Sequence, residues 1–298
     1  MRTTRSLVAL VAMLAVIVFW NGLSSIATVS TVGGGANCTN PAKPAVLPRG
    51  MRLGYCDDFE GTSLDPARWY PNWFTTTDCS VIGGGAGSQT VNTPRPTNVS
   101  VSGGYLHLTT RHENASCYGQ TFPYTSALIE TGGHYNGSTH QYDTPPQFTC
   151  TAPCYVEVRF KMPSSGPWPA IWMEESPANG QWVAGHELDN LEQWGKSFRT
   201  WRMHVHLLCN GAPASGGNDF KGPDTTSAFH TSGLWWQASR IDWYADKRLS
   251  ASYTGCGIPQ PGTPYYLLLN GGVIGNLGEP PASLPWEMLV DYVRIWTA

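Results

Sequence analysis

The sequence has few charged residues and no run of one sign. Asp, Glu, Lys and Arg make up 13% of the 298 residues, whereas about 25% is usual for soluble domains. The formal net charge is −3, and no Lys/Arg-rich stretch is present. The electrostatic footprint of a nucleic-acid-binding protein is therefore missing, and we expect no nucleic-acid partner.

The sequence also lacks an apolar run long enough to make a typical membrane span. The uncharged run at the N-terminus, residues 7–20, is shorter than the roughly 20 residues that a spanning helix needs. Arg2 and Arg5 precede it, and small residues ending at Ala27 follow, which is typical of a secretory signal peptide. We predict a signal peptide over residues 1–27 and a secreted protein without stable membrane insertion; a membrane anchor is the alternative.

Glycine and proline, by contrast, are abundant. The 33 Gly and 23 Pro leave little room for long helices, while 41% hydrophobic residues, with 13 Trp among them, supply ample material for a core. Residues 155–162 alternate between apolar and polar side chains, as in a half-buried strand. Similar short runs bounded by turn residues occur at 105–109, 201–207, 240–244, 265–269 and 288–295. The pattern predicts an all-β sandwich or barrel.

The chain shows no internal repeat. Residues 28–50 are rich in small residues, Gly and Pro, without periodicity, and are predicted to be a linker. Residues 51–298 are predicted to form one domain, because all-β sandwiches often reach that size.

All eight cysteines follow the predicted signal peptide, and an even number in an exported chain favours disulfides. Eight cysteines in four bridges allow 105 pairings, and the sequence does not choose among them. Cys150 and Cys154 have the spacing of half a zinc site, but no second Cys or His pair completes it. We therefore predict disulfides rather than zinc.

Three acids occur within six residues, at Glu187, Asp189 and Glu192. Glu187 and Asp189 share a face of a strand, whereas Glu192 would point to the other face in a regular strand. A β-bulge between Asp189 and Glu192 adds one residue and returns Glu192 to the first face. The sequence thus predicts a bulged strand with all three acids on one surface.

This spacing is compatible with glycosidase chemistry. Four strand steps put the two glutamate Cα atoms roughly 13 Å apart, and inward-leaning side chains would leave roughly 5 Å between the carboxyls, the separation used by retaining glycosidases. Inverting enzymes need a wider separation between the carboxyls, about 6.5 to 9.5 Å, and the estimate does not exclude the lower end of that range. Mutual repulsion is expected to raise the pKa of one of the three carboxyls, so that it stays protonated as a general acid.

Aromatic residues flank the acids. Trp168 and Trp172 precede them and Trp194 follows, and sugar-binding sites use flat aromatic faces with a few placed polar groups. We predict these three as stacking platforms. The alternatives are core packing for each Trp and a solvated edge for the acids.

Further segments follow one another in the order found in a known family. They are the opening strand at 57–69, Ala127–Thr131, Phe229–Thr231 with Ile241–Tyr244, Tyr266–Asn270 and Val290–Ile295. With the Glu-x-Asp-x-x-Glu pattern, the chain from about residue 55 to the C-terminus resembles glycoside hydrolase family 16, in its bulged laminarinase-like form.

The resemblance implies a concanavalin A-like jelly roll of two curved antiparallel sheets with a glycan cleft on the concave face. It implies that Glu187 is the nucleophile, Glu192 the acid/base and Asp189 the residue that orients Glu187, with His206 as a cleft histidine. No catalytic cofactor is implied, although a structural calcium at Asp291 is compatible with the family. Asn190, where the family usually has an apolar residue, is a departure.

The expected function is that of a secreted, monomeric, retaining endo-β-glycosidase acting on a polysaccharide, a β-1,3-glucan or mixed-linkage β-glucan. The alternatives are a β-galactan hydrolase of the agar or carrageenan type, a transglycosylase and a non-catalytic glucan-recognition module. The presence of both glutamates favours an enzyme over the recognition module.

Overall fold

The alternating strand predicted around residues 155–162 lies inside a large antiparallel sheet. A computed structural model describes residues 38, 41–73, 79, 91–136, 138–164, 168–177, 186–275 and 285–298. The predicted signal peptide, residues 1–27, and residues 28–37 of the predicted linker lie outside the described residues.

The described chain is almost entirely strand and connecting loop, as the glycine and proline content predicts. One short 3₁₀ helix spans Pro96–Asn98. The strands in chain order are β1 (Arg52–Asp57), β2 (Asn92–Pro94), β3 (Val99–Ser102), β4 (Tyr105–Thr110), β5 (Ala115–Cys117), β6 (Gln120–Phe122), β7 (Tyr124–Ser126), β8 (Leu128–Glu130), β9 (His134–Asn136), β10 (Gln141–Thr144), β11 (Cys154–Lys161), β12 (Ala170–Glu175), β13 (Glu187–Glu192), β14 (Thr200–Cys209), β15 (Ala212–Lys221), β16 (His230–Gln237), β17 (Arg240–Ala245), β18 (Arg248–Tyr253), β19 (Tyr265–Asn270) and β20 (Trp286–Thr297).

Two antiparallel sheets form the sandwich. The eight-stranded sheet has the order β18-β17-β16-β11-β20-β4-β3, with β1 also paired to β20. The six-stranded sheet has the order β15-β14-β13-β12-β19-β8. In each sheet a run of consecutive strands, β18-β17-β16 or β15-β14-β13-β12, is joined to strands from distant parts of the sequence, as in a jelly roll. The predicted fold class is confirmed.

The main core lies between the two sheets. Val156, Val158 and Phe160 of β11 point into it and are fully buried. The six-stranded sheet contributes alternate residues, among them Ile171 and Met173 of β12. Since successive strand residues point to opposite faces, the residues between these positions face outward, and on the six-stranded sheet that outward face carries the site described below.

A second apolar cluster covers the outer face of the eight-stranded sheet. Leu47 and Met51, each 6% exposed, pack with Tyr155, Trp235 and Trp296 in this cluster. Cys38, further back along the chain, is bonded to Cys56 of β1. The described part of the predicted linker is therefore attached to the sandwich by packing and by a covalent bond.

The eight cysteines form four disulfides, which selects one pairing among those the sequence left open. The bridges are Cys38–Cys56, Cys79–Cys117, Cys150–Cys154 and Cys209–Cys256. The Cys150–Cys154 bond agrees with the prediction of a disulfide rather than half a zinc site. Within the described ranges, no helix has the length and apolar character that crossing a membrane requires.

Candidate active site

The three predicted acids lie on β13, a central strand of the six-stranded sheet. Leu188 and Leu191 pair with Met173 and Ile171 of β12 and point into the core, although Leu191 is three positions after Leu188, an odd step that reverses the face in a regular strand. Between them Asp189 pairs with Trp172, while Asn190 has no partner on β12. Asn190 is thus the extra residue of a β-bulge, and the predicted bulge is confirmed.

Because of this bulge, Glu187, Asp189 and Glu192 all lie on the outward face of the six-stranded sheet. Asp189 is 1% exposed and Glu192 is 6% exposed, whereas Glu187 is partly exposed. His206 of β14 is opposite Glu187, and its Nε2 atom lies 3.3 Å from Oδ2 of Asp189. The bulge and the neighbouring strand thus bring the acids and the predicted cleft histidine together.

The electrostatics of this group are dominated by burial. Desolvation raises the pKa of Asp189 well above its usual range, and the negative charge of Glu192 raises it further. Desolvation also raises the pKa of Glu187, with a smaller contribution from Asp189, while a charged His206 lowers it. The sequence argument considered repulsion alone, and the burial of this pair is a consequence of the fold.

Glu187, Asp189 and His206 also have one donor atom each within 4.8 Å of the others. They are the one group of three His, Cys, Asp or Glu side chains in the described part of the chain with metal-ligand spacing. Two carboxylates and an imidazole are a plausible ligand set, but the same arrangement also suits an acid pair that shares a proton.

Glu192 is held by two of the predicted tryptophans. Its Oε1 atom accepts a hydrogen bond from Nε1 of Trp168 at 2.7 Å and another from Nε1 of Trp194 at 3.3 Å. Trp194 is 37% exposed, so much of its ring remains accessible. Trp168 and Trp194 therefore combine an aromatic surface with a direct contact to an acid.

Trp172 lies beside Asp189 on the same outward face but is only 6% exposed. Its Nε1 atom donates to Oδ1 of Asn270 at 2.8 Å. Trp73 packs edge-on against it with ring centroids 6.1 Å apart. The stacking role predicted for Trp172 stays a prediction, because most of its ring is covered by protein.

Comparison with known proteins agrees with this geometry. Residues 151–267, which contain the acid strand, match the model of the family described as glycosyl hydrolases family 16. The acid strand lies in a family 16 segment. The family resemblance based on the acids and the collinear segments is confirmed, and hydrolysis by this family needs no catalytic cofactor.

Several members of family 16 are similar over most of the chain. A β-glucanase of Rhodothermus marinus is 26% identical over 267 residues, which cover 82% of this chain and 84% of the relative. A glucan endo-1,3-β-glucosidase A1 of Niallia circulans is 26% identical over 278 residues, which cover 86% of this chain. The match spans only 39% of the length of that second relative.

A solved structure shows the same architecture. A LamA variant of Z. galactanivorans, in complex with laminaritriose and laminaritetraose, superposes with a TM-score of 0.67 at 26% identity, covering 82% of this chain and 98% of that chain. The superposition therefore covers more of the chain than residues 151–267, the segment matched by the family model.

The sequence argument missed several residues that shape this site. Asn270 binds Trp172 from β19, and Arg202 of β14 lies opposite Glu192 with its guanidinium 4.6 Å from the ring centre of Trp194. Glu174 of β12 lies opposite Glu187 and accepts a hydrogen bond from the hydroxyl of Tyr266. Glu174 alternates with Trp172 on one strand, which is a signal that could have placed it on the outward face; Arg202 alternates with His206 in the same way.

The departure noted at Asn190 coincides with the bulge itself. Asn190 is fully buried, and neither its side-chain oxygen nor its nitrogen has a hydrogen-bond partner among the described residues. The bulge therefore forms with a polar side chain where the family usually has an apolar one.

Proposed function

We propose that this chain is a secreted, retaining endo-β-glycosidase that hydrolyses a β-1,3-glucan or a mixed-linkage β-glucan. The observation that carries the proposal is the bulge at Asn190, which brings Glu187, Asp189 and Glu192 to one face of the sheet. The similarity to a β-glucanase and to an endo-1,3-β-glucosidase supports the choice of substrate.

Glu187 is the proposed nucleophile and Asp189 its positioning residue. Burial raises the pKa of both carboxyls, so that a single proton shared between them is favoured over two charges. Asp189 is the more buried of the two, so the proton is assigned to Asp189, which donates a hydrogen bond to the Glu187 carboxylate and keeps the proton. The Glu187 carboxylate is then free to react while its partner remains neutral.

Glu192 is the proposed general acid and base. The indole N–H groups of Trp168 and Trp194 both donate to its Oε1 atom, which leaves Oε2 to carry the transferred proton. These two bonds hold the carboxyl in one orientation, as proton transfer to a leaving oxygen requires.

The reaction proceeds in two balanced steps. Glu187 attacks the anomeric carbon, the glycosidic C–O bond breaks, and the proton of Glu192 passes to the leaving sugar oxygen. Water then attacks the glycosyl ester of Glu187 and gives its proton to the Glu192 carboxylate, which restores both acids and retains the anomeric configuration.

The glycan is proposed to lie across the outward face of the six-stranded sheet. Trp194, with its exposed ring, is the main stacking platform. Trp168, which binds the same oxygen of Glu192, is proposed to add aromatic surface beside it, and Trp172 an edge of its largely covered ring. His206 is half-exposed and can hydrogen-bond a sugar hydroxyl beside Glu187.

A structural calcium at Asp291 is not part of the proposal. The Asp291 carboxylate forms an ion pair with the Arg159 guanidinium, and a positively charged neighbour opposes cation binding there. The four disulfides and the signal-like N-terminus support secretion, and we propose that the enzyme acts as a monomer.

The test is to incubate the purified protein with laminarin, mixed-linkage glucan, agarose, carrageenan and β-galactan and to follow oligosaccharide release. Glu187→Gln is the inactive comparison. Glu287→Gln is the matched control, because it removes a partly exposed carboxylate on the other sheet. NMR of the first products reports the anomeric configuration.

Release of short β-1,3-linked products with retained configuration by the wild type and Glu287→Gln, but not by Glu187→Gln, is expected. Release from a galactan alone would overturn the glucan assignment. Products longer than the substrate would indicate a transglycosylase, and binding without release would indicate a recognition module.

A further inference from the structure

We infer that Arg202 is a positioning residue that holds Trp194 against Glu192, and that Asp219 anchors Arg202 in turn. This inference rests on the proposed function, because it concerns the acid/base of that reaction.

Arg202 lies beside Glu192 in the sheet and contacts the ring of Trp194. It is the cross-strand neighbour of Glu192 on β14, and its guanidinium carbon lies 4.6 Å from the centre of the Trp194 ring. A guanidinium at this distance from an indole face is attracted by the π-electrons. The same indole donates its N–H to Oε1 of Glu192, so the cation, the ring and the acid form a continuous chain of contacts.

Trp194 needs such support because it follows the end of β13 and lies on the surface. Its 37% exposure is high for a tryptophan in this protein, and the next residue, Gly195, has a positive φ of 57° that turns the chain away from the strand. Without a partner on its face, the ring would be free to adopt other rotamers.

Asp219 of β15 is the cross-strand neighbour of Arg202 and forms an ion pair with it. Its Oδ2 atom lies 3.8 Å from Nε of Arg202, and its Oδ1 atom lies 3.3 Å from Nε2 of His204. The Arg202 side chain is 12% exposed, whereas that of Asp219 is 49% exposed. The anchoring carboxylate can therefore be changed without disturbing the core.

The consequence for catalysis is specific to the acid. Trp168 and Trp194 both bind Oε1 of Glu192, and loss of the Trp194 bond would leave the carboxyl held by a single donor. Misalignment of the proton affects a leaving group that needs protonation, such as a sugar hydroxyl. It does not affect a dinitrophenolate, which leaves as an anion.

The experiment compares kcat/KM for laminarihexaose with kcat/KM for 2,4-dinitrophenyl β-laminaribioside. Since general acid catalysis contributes about 10²- to 10⁴-fold, Arg202→Met should lower the value for laminarihexaose about tenfold or more and change that for the dinitrophenyl substrate by no more than about twofold. Arg202→Lys, which keeps the charge without the planar guanidinium, should show an intermediate loss.

Two further variants test the chain of contacts. Trp194→Phe keeps a flat ring but lacks the N–H, and should reproduce the leaving-group dependence of Arg202→Met. Asp219→Asn should lower the ratio of kcat/KM for laminarihexaose to kcat/KM for the dinitrophenyl substrate by a smaller factor. If Arg202→Met does not fold, Asp219→Asn tests the inference in its place. The control is Arg248→Met, on the exposed edge strand of the other sheet, which should leave the ratio unchanged.

Equal losses on both substrates would show a merely structural role for Arg202, and no loss on either would show no role; both overturn the inference. If the wild type cleaves neither substrate, the proposed glucan hydrolysis has failed instead, so the two failures are distinguishable.

Discussion

The backbone carbonyl of Asp189 accepts a hydrogen bond of 2.7 Å from the indole nitrogen of Trp243. Trp243 belongs to β17 of the eight-stranded sheet and is fully buried, so this bond crosses the sandwich to the bulged strand. Asp189 directly precedes the bulged Asn190. One sheet therefore holds the strand that carries the acids on the other sheet.

Replacement of Trp243 by Phe should affect both stability and turnover. The change leaves a buried carbonyl without its partner, which costs about 1–3 kcal/mol in the free energy of unfolding. A shift of the bulge would also lower kcat, since a misplacement of about 1 Å at an active site can cost about 10²-fold. Urea denaturation and initial rates measure the two effects.

The matched control is Trp236→Phe. Trp236 is also fully buried, and its Nε1 donates to the carbonyl of Pro259 at 3.1 Å. It should lose a similar amount of stability while kcat stays close to that of the wild type. Equal kcat values for the two variants would show that the Trp243 bond does not position the acids.

Replacement of Asn190 by Leu should stabilise the protein. Both polar atoms of the buried amide lack a described partner, and removal of such a desolvated group should raise the free energy of unfolding by about 1–3 kcal/mol. The comparison is Asn98→Leu, which should destabilise, because the buried Asn98 donates to Thr109 and Thr125. If urea denaturation shows that Asn190→Leu destabilises the protein as Asn98→Leu does, the buried Asn190 amide does not lack hydrogen-bond partners.

The acidic side of the pH–rate profile should depend on His206. Because Glu187 must be ionised to attack and its pKa is raised, activity should fall in acid at a pH above the ordinary range of a glutamate. A protonated His206 lowers that pKa, so His206→Gln should move the acidic limb of kcat/KM to higher pH. His107→Gln, on the other sheet, serves as the control, and an unmoved limb in His206→Gln would contradict the prediction.

Glu130 should make stability fall as the pH rises. It is fully buried, and neither carboxyl oxygen has a hydrogen-bond partner among the described residues. Burial, together with the charge of Glu174, raises its pKa well above the usual value. Its contribution is complete below the unfolded pKa of about 4.3 and is lost as the pH rises towards the folded pKa, by up to about 1.4 kcal/mol per pH unit.

Glu130→Gln carries no titrating proton at this position, so its advantage over the wild type should grow with pH above about 4.3. Urea denaturation at a series of pH values measures this difference. The exposed Glu60 provides the control Glu60→Gln, for which no such growth is expected. Parallel stability curves for Glu130→Gln and the wild type would show that Glu130 does not contribute in this way.

Two of the four disulfides should contribute unequally to stability. Cys209–Cys256 closes a sequence separation of 47 residues and Cys150–Cys154 one of 4. In the chain-entropy model, their removal by paired Cys→Ala changes should cost about 4 and about 2 kcal/mol respectively. The order of the thermal midpoints of the two variants checks this, and the reverse order would mean that loop entropy does not dominate.

Much of the acid strand was predictable because its geometry is local. The two-residue repeat of a strand assigns Glu187 and Asp189 to one face, and the five-residue step to Glu192 requires an inserted residue. Which residue is inserted was not predictable: Asn190 is identified only by the pairing of β13 with β12.

The tryptophans show where the sequence argument ended. Trp168, Trp172 and Trp194 were all predicted as stacking platforms, yet two of them bind Glu192 and the third is buried under Trp73. Trp73 lies 99 positions before Trp172 in the sequence, and no local pattern indicates that they touch.

The sequence by itself determined the all-β class, the three acids and their common face, because alternation and spacing are properties of a single strand. The tertiary structure alone decided the disulfide pairing, the burial of the Glu187–Asp189 pair and the contacts of Arg202 and Trp243 with the site. These depend on which distant strands become neighbours in the sandwich, and on how much water their packing removes from each carboxyl.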